Sequence, residues 1–320
     1  MKLEVIKFIK KGAILIVIFL LIMISLNYFY IKIIEPRKQI NRGEVEWQKY
    51  RKKLPNNILD YAFFGDSHAG NGVNPEFIDN SYNFATSAED YTETYYKIKK
   101  IIKEGVVMKN IILEIDLHTF SDRIRTPEEL FNELNYYKNF VSYKNISRLR
   151  EENIAKIFLK SNFLIIGKGE EFMFYLRGKM KLTEIKLGWT TVEGDFSLKT
   201  EEAKRKIVIG HFNYPPNLFE ERSFNYFLKI LELANENNMK IYFIKYPLSK
   251  EYDNKIRKNG ISPELFYEEL FSRINNVIPD YGLLDYYNVF FDHPEYFRDV
   301  HHLNYIGSKI FSEKIQKDLE

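Results

Sequence analysis

The residues that could do chemistry lie near the two ends of the sequence. Ser67 stands in "YAFFGDSHAGNG", Tyr61 to Gly72, where an apolar run stops abruptly at Gly-Asp-Ser-His. A serine hydroxyl is a weak nucleophile until a base takes its proton, and that base is typically a histidine oriented by a carboxylate. "FRDVHHLNYIG" offers both, with Asp299 and His302 spaced D-x-x-H. On a loop, that spacing lets the carboxylate fold back onto the ring, hold one tautomer and stabilise the protonated form. His301 competes with His302, but neighbours in a turn point different ways and one of them faces Ser67. Asp66 reads as a turn or cap residue, His68 as a residue lining the site, and His118 as either site or structure. Asn304 reads as a cap of the last helix, Asn71 and Asn74 as loop structure, and His211 and His293 as ordinary loop or surface residues.

Such residues need elements to bring them together. "YAFFG" is a short apolar run that reads as a strand, and "SYNFAT" is a weaker second one. "NIILEID", Asn110 to Asp116, and "MKIYFIKYP", Met239 to Pro247, are β-branched or aromatic strands, and "GLLDYY" is a short one. Helical patterns cover Glu89 to Lys103, Glu221 to Asn237, Glu264 to Asn276 and Leu303 to Leu319, the last with Ile306, Ile310, Phe311 and Ile315 recurring at helical spacing. Strand alternating with helix predicts an α/β fold in three layers, α/β/α, around a mainly parallel sheet of flavodoxin-like kind. In such a sheet, sites form beyond the carboxyl ends of the strands. Ser67 follows "YAFFGD" at one such end, and Asp116 and His118 follow another. From about residue 120 to 216 the alternation fails, and the aromatic, mixed-charge sequence predicts a mostly helical insertion.

"GDSH" near the start of the domain and "DVHHLN" near its end resemble the first and last blocks of the SGNH/GDSL hydrolase superfamily. The resemblance implies a catalytic triad of Ser67, His302 and Asp299. It covers both ends of the Tyr61 to Lys317 region, with little support between. An N-terminal anchor with these blocks is similar to extracytoplasmic members: O-acetyltransferases of cell-envelope polysaccharides and D-alanyl-lipoteichoic-acid transfer proteins, which work beside membrane-bound O-acyltransferases. Two blocks depart from the superfamily pattern. Where a glycine amide would serve the oxyanion hole, the sequence reads "YNFATSAED", with Ala85 or Thr86 at that place. Where an asparagine would follow the third strand, "LEIDLHTF" gives Asp116 and His118. The hole would then rest on the amides of Ser67 and Ala85, or use His118.

"GAILIVIFLLIMISLNYFYIKII", Gly12 to Ile34, is apolar for about 20 residues, the length that crosses a bilayer. No small-x-small cleavage site follows Ser25, so an uncleaved anchor is expected rather than a signal peptide. The expected organisation is a cytoplasmic tail (1–11), an anchor (12–34), a stalk (35–59) and an SGNH-like domain (60–320), single-pass with the domain outside the cell. Basic residues flank both sides of the span, so charge alone leaves the orientation open.

The chain has 320 residues, no cysteine and a net charge of +3. Thiolate catalysis and Cys-ligated zinc are excluded. The first 34 residues hold five Lys and one Glu, so the remainder is close to neutral, which argues against a nucleic-acid partner. Asp66, His68, Asp299, His301 and His302 imitate a metallophosphoesterase cluster, but the further Asp and Asn-His blocks of such sites are not evident. No metal and no cofactor is expected. The expected partners are a cell-envelope glycan or acylated polymer and a membrane-bound O-acyltransferase. A catalytically inactive module of the same fold, holding or delivering a polymer, is the alternative.

Overall fold

The computed structural model describes residues 2–37, 39–121, 143–150, 153–163, 165, 168–178, 185–190, 193–196, 217–275, 277–278 and 280–320. His211 and the whole stretch from 197 to 216 lie outside the described residues. The chain forms two compact units, Met1–Arg42 with Val141–Leu182, and Gly43–Phe140 with Thr183–Glu320.

The larger unit is built on five parallel strands: β1 (Ile58–Phe64), β2 (Ser81–Asn83), β3 (Val107–Glu114), β6 (Lys240–Lys245) and β7 (Gly282–Asp285), in the order β2-β1-β3-β6-β7. The register pairs Phe63 with Ile112 and Phe64 with Leu113, then Ile112 with Tyr242 and Leu113 with Phe243. Side chains alternate between faces along a strand. Phe64, Leu113 and Phe243 therefore share one face, and Tyr61, Phe63, Ile112 and Tyr242 share the other. On the first face lie α4 (Tyr91–Lys103) and α8 (Glu221–Glu236), with the Phe227 ring 5.6 Å from Phe243 and 5.0 Å from Tyr91. The second carries α11 (Tyr305–Leu319), whose last turn accepts a hydrogen bond from the Tyr61 hydroxyl. The sheet is buried on both faces, which is why its strands read as short apolar runs.

Helix boundaries follow local chemistry. Asp90 caps α4 in a reciprocal box with Glu93, and Asn304 caps α11 by accepting the Gly307 N–H at 3.0 Å. Two elements differ from the pattern expected of the sequence. Helix α9 (Lys250–Lys258) buries only Tyr252 and Ile256 among its apolar residues, and its charged sequence hides that pair. A hairpin of two-residue strands, β4 (Ile185–Lys186) and β5 (Trp189–Thr190), stands inside the stretch expected to be helical. Its turn, Leu187-Gly188, takes positive φ at both residues, the geometry that two-residue hairpins favour. Leu187 accepts the Asn83 N–H, and Trp189 is buried with its indole donating to the Asn71 carbonyl at 2.9 Å.

Helix α2 (Gln39–Arg51) places Trp47, 3% exposed, against the rings of Tyr82 and Phe84. Glu46 accepts from the Tyr82 hydroxyl and from the Leu187 and Gly188 amides. The part of the expected stalk from Gly43 onward thus packs on the domain.

In the smaller unit, α1 (Lys2–Phe29) accompanies α5 (Tyr143–Arg150), α6 (Ile154–Asn162) and α7 (Gly169–Leu176). Its apolar stretch is long enough to cross a membrane, and only 11% of that stretch is buried.

Phe243 lies fully buried between the central strands and α8. Phe243→Ala is expected to lower unfolding free energy by about 3–5 kcal/mol. Denaturant titration in detergent checks it, and a loss below about 1 kcal/mol would contradict this packing.

Candidate active site

Strand β1 ends at Phe64, and the chain turns through Gly65 and Asp66 into α3 (Ser67–Gly72). Gly65 is required by contact: a Cβ there would sit 2.2 Å from Glu114 Oε2. The Asp66 side chain caps the helix, Oδ1 accepting the His68 N–H at 2.8 Å. Ser67 is thereby held at the first helical position, just beyond the sheet's carboxyl edge.

The second half of the site is a loop closed on itself. Phe297 and Leu303 pair across it, the Arg298 N–H donates to His302 O at 2.9 Å, and Asn304 Nδ2 donates to the carbonyls of Glu295 and Gly194. Within the loop, Asp299 Oδ1 accepts the N–H groups of His301 (3.2 Å) and His302 (2.9 Å). The same carboxylate reaches the ring, both oxygens lying 3.0 Å from His302 Nδ1. His302 Nε2 is 2.8 Å from Ser67 Oγ. Ser67, His302 and Asp299 therefore stand in one hydrogen-bonded line, with Nδ1 donating to the carboxylate and Nε2 accepting from the hydroxyl.

Burial favours the neutral form of His302 and lowers its pKa below the ordinary 6.5. The hydrogen bond and charge of Asp299 oppose this, while His68 and Arg298 reinforce it. Burial alone would raise Asp299, but the His302 hydrogen bond and charge, with Arg298 and the His301 N–H, hold it well below the usual carboxylate range. The pair suits a general base: neutral before reaction, with a fixed anion to receive the imidazolium.

Beneath Ser67 lies a buried network. His68 Nδ1 is 2.6 Å from Asp116 Oδ2, His118 Nε2 is 2.8 Å from Asp66 Oδ2, and Asp116 Oδ1 accepts the Tyr246 N–H at 3.0 Å. Glu114, at the end of β3, accepts the Asp66 N–H at 2.8 Å through Oε2. Its Oε1 lies 3.8 Å from both His68 Nδ1 and His118 Nε2. Burial, then the charges of Asp66 and Asp116, push Glu114 well above the ordinary carboxylate value, which favours its neutral form. Burial pulls His68 down, but Asp116, Asp66 and Asp299 outweigh it and raise the ring's pKa above 6.5.

Asp116, His118 and His68 are each 3% exposed or less, so they support the serine from below rather than line an open surface. His301 stacks beside His302, with centroids 3.9 Å apart, and is 6% exposed. Ala85 differs from its expected role: its N–H donates to Asn83 Oδ1 at 3.0 Å, because Asn83 also ties down the Ala69 and Val73 carbonyls. The Thr86 N–H likewise donates to the Gly65 carbonyl. Lys97 pins this loop through the Phe84 carbonyl, Thr86 and Glu89. With His118 engaged by Asp66 as well, the Ser67 amide is the backbone donor of the expected hole that makes no hydrogen bond among the described residues. His293 lies away from this group, paired with Glu295 and stacked on Tyr296.

Asp66, His68, Glu114 and His118 have donor atoms within 4.8 Å of one another, as do His68, His301 and His302. Zinc with nitrogen and oxygen ligands holds them at about 2.0–2.2 Å from the ion in a tetrahedron. The 2.6 and 2.8 Å separations here are those of hydrogen-bonded pairs with a proton between them. Glu114 was not among the residues picked from the sequence. Its signal was there: a carboxylate inside "NIILEID", an otherwise apolar central strand.

No protein-family profile matches the chain, and no curated protein matches it. Two solved structures align over most of its length. One, from Bacteroides fragilis, carries the provisional description acylhydrolase, with 9% identity, a TM-score of 0.38, and coverage of 85% of this chain and 94% of the other. The second, a GDSL-like lipase from Bacteroides thetaiotaomicron, has 9% identity, a TM-score of 0.37, and coverage of 88% and 98%. At such similarity the chemistry of this chain rests on its own geometry.

The neutrality of Glu114 gives a stability test with a fixed sign. A carboxyl whose folded pKa is raised favours the fold fully below its unfolded value of 4.5, and that contribution is lost as pH rises toward the folded pKa. Glu114→Gln, permanently neutral, is expected to gain on the wild type by up to about 1.4 kcal/mol per pH unit above pH 4.5. Urea unfolding across that range reads the difference, and a constant gap would contradict the assignment.

Proposed function

We propose that the chain is a serine esterase or O-acyltransferase of the SGNH type. The observation that carries this reading is the continuous Ser67–His302–Asp299 hydrogen-bond line, assembled from residues 235 positions apart. The Ser67 hydroxyl loses its proton to His302 Nε2 as Oγ forms a bond to an ester carbonyl carbon. Asp299 stabilises the imidazolium. The carbonyl oxygen becomes an oxyanion near the Ser67 N–H. Collapse breaks the bond to the leaving alcohol, which takes the proton from His302, and leaves an acyl-serine. Water or an acceptor hydroxyl, deprotonated by His302, then attacks the acyl carbon, and as the tetrahedral adduct collapses Ser67 Oγ leaves with the proton from His302.

The apolar α1 supports work at a membrane; on this reading the substrate is a cell-envelope polysaccharide or teichoic-acid-like polymer, the partner a membrane-bound O-acyltransferase, and the larger unit stands outside the cell. An anchored enzyme favours acyl transfer where donor or acceptor is itself membrane-bound. The engaged amides of Ala85 and Thr86 favour a second reading, a binding or delivery module without turnover. Loss of one oxyanion donor costs about 10²–10³ in rate, so turnover on the first reading is slow rather than absent.

Hydrolysis of an activated acetyl ester by the full chain in detergent separates the two readings. Ser67→Ala is expected to remove about 10⁴–10⁶-fold of kcat, and Asp299→Asn about 10⁴-fold. Because His302 titrates below 6.5, kcat/KM should stay level down to that pH and fall on the acid side. Equal rates for the wild type and Ser67→Ala would leave the binding module.

A further inference from the structure

The smaller unit exposes apolar side chains that folding in water would bury. Helix α6 buries Ile157 but leaves Ile154, Phe158 and Leu159 49, 51 and 50% exposed. Helix α7 leaves Met173, Phe174 and Leu176 43, 52 and 57% exposed. Both helices are tied to the end of α1. Asn27 Nδ2 donates to the Asn162 carbonyl at 2.7 Å, and Asn27 Oδ1 accepts the Ile165 N–H at 3.3 Å, so one amide fixes the end of α6 and the turn after it. The Phe29 ring lies 5.8 Å from both Phe172 and Tyr175 on α7, and the Arg37 guanidinium stacks over Tyr175 at 4.9 Å. Tyr30 and Ile34 are fully buried.

We propose that α6 and α7 lie in the interfacial layer of the same bilayer that α1 crosses, with Ile154, Phe158, Leu159, Met173, Phe174 and Leu176 in the acyl-chain boundary. This rests on the reading of α1 as a span. The occupant follows from continuity: the exposed face of these helices adjoins the end of an apolar helix that is itself exposed along its length. Burial of large apolar side chains is stabilising, and in water these side chains forgo it. Amphipathic helices in this setting sit about 5–10 Å into the headgroup and acyl boundary. On this proposal α1 stays uncleaved. Its last turns and the residues after it are packing partners of α6 and α7, and removal would strip both helices of that support.

The chain has no cysteine, so single substitutions give clean labelling sites. Phe158→Cys, Phe174→Cys, Phe19→Cys in mid-span and Lys258→Cys on α9 are each labelled with an environment-sensitive nitrobenzoxadiazole. The full chain is placed in nanodiscs whose lipids carry a doxyl quencher at a shallow or a deep acyl carbon. The proposal predicts blue-shifted emission at 158 and 174, quenched most by the shallow doxyl, with 19 quenched most by the deep doxyl and 258 unaffected. Emission at 158 and 174 as red as at 258, or blue-shifted emission insensitive to either doxyl, overturns it; the latter means that protein covers the face. Failure at 19 overturns the span and this inference together, whereas response at 19 without response at 158 and 174 overturns this inference alone.

Discussion

The hydrogen bond between Ser67 and His302 joins two parts of the chain that nothing local holds together. A single such bond contributes about 0.5–1.5 kcal/mol, far too little to close a loop of that length. The fold supplies the rest. Parallel strands bring their carboxyl ends to one edge, so the chain after β1 and the chain before α11 arrive in the same place. Helix α11 is seated by Phe311 and Ile315, both fully buried, and by the Tyr61 hydroxyl at its end. The first turn of α11 meets the Tyr296 carbonyl so closely that a Cβ at Gly307 would lie 2.2 Å from that oxygen. The histidine loop is therefore placed by these contacts, and its geometry is set by the sheet and not by the serine.

Electrostatics beneath the serine completes the arrangement. Three carboxyl groups and two imidazoles are buried within a few ångströms, and such a set is tolerable only when paired or neutralised. Asp116 pairs with His68, Asp66 with His118, and burial with the Asp66 and Asp116 charges favours the neutral form of Glu114. The consequence reaches the surface. The His68 ring lies 5.5 Å from His302, and its raised proton affinity disfavours a second positive charge there. Burial keeps the base neutral and the His68 charge reinforces it, while Asp299 keeps the cost of protonating it during reaction low. Gly65 belongs to the same design, because the glycine of Gly-Asp-Ser leaves room for Glu114.

Much of this was legible in the sequence because the relevant signals are local. The short apolar runs ending in Gly-Asp or Asp-x-His mark strands buried on both faces and their carboxyl ends. The caps Asp66 and Asn304 are read from residue type and position, and both side chains accept the amides such caps accept. Proximity of Ser67 to Asp299 and His302 needed the motif pairing as well as the alternation of elements. What stayed hidden depends on tertiary contact. Whether the Ala85 amide is free is decided by Asn83, whose side chain also serves two carbonyls of α3. The hairpin around Gly188 is too short to show a period, and α9 shows only two buried apolar residues among charges. Glu114 looked like a strand residue of the wrong polarity, and its meaning depends on Asp66 above it.

The smaller unit carries the apolar helix that is long enough to cross a membrane. Its apolar helix and the two helices fastened to it leave apolar side chains exposed, whereas every group of the triad belongs to the other unit. The account's central claim is that Ser67 is a nucleophile activated by His302. Intact-mass and peptide analysis after exposure of the full chain to a fluorophosphonate tests it most directly. The account predicts one adduct, on Ser67, abolished in His302→Ala; an unmodified wild-type chain, or an adduct elsewhere that persists in Ser67→Ala, would contradict it.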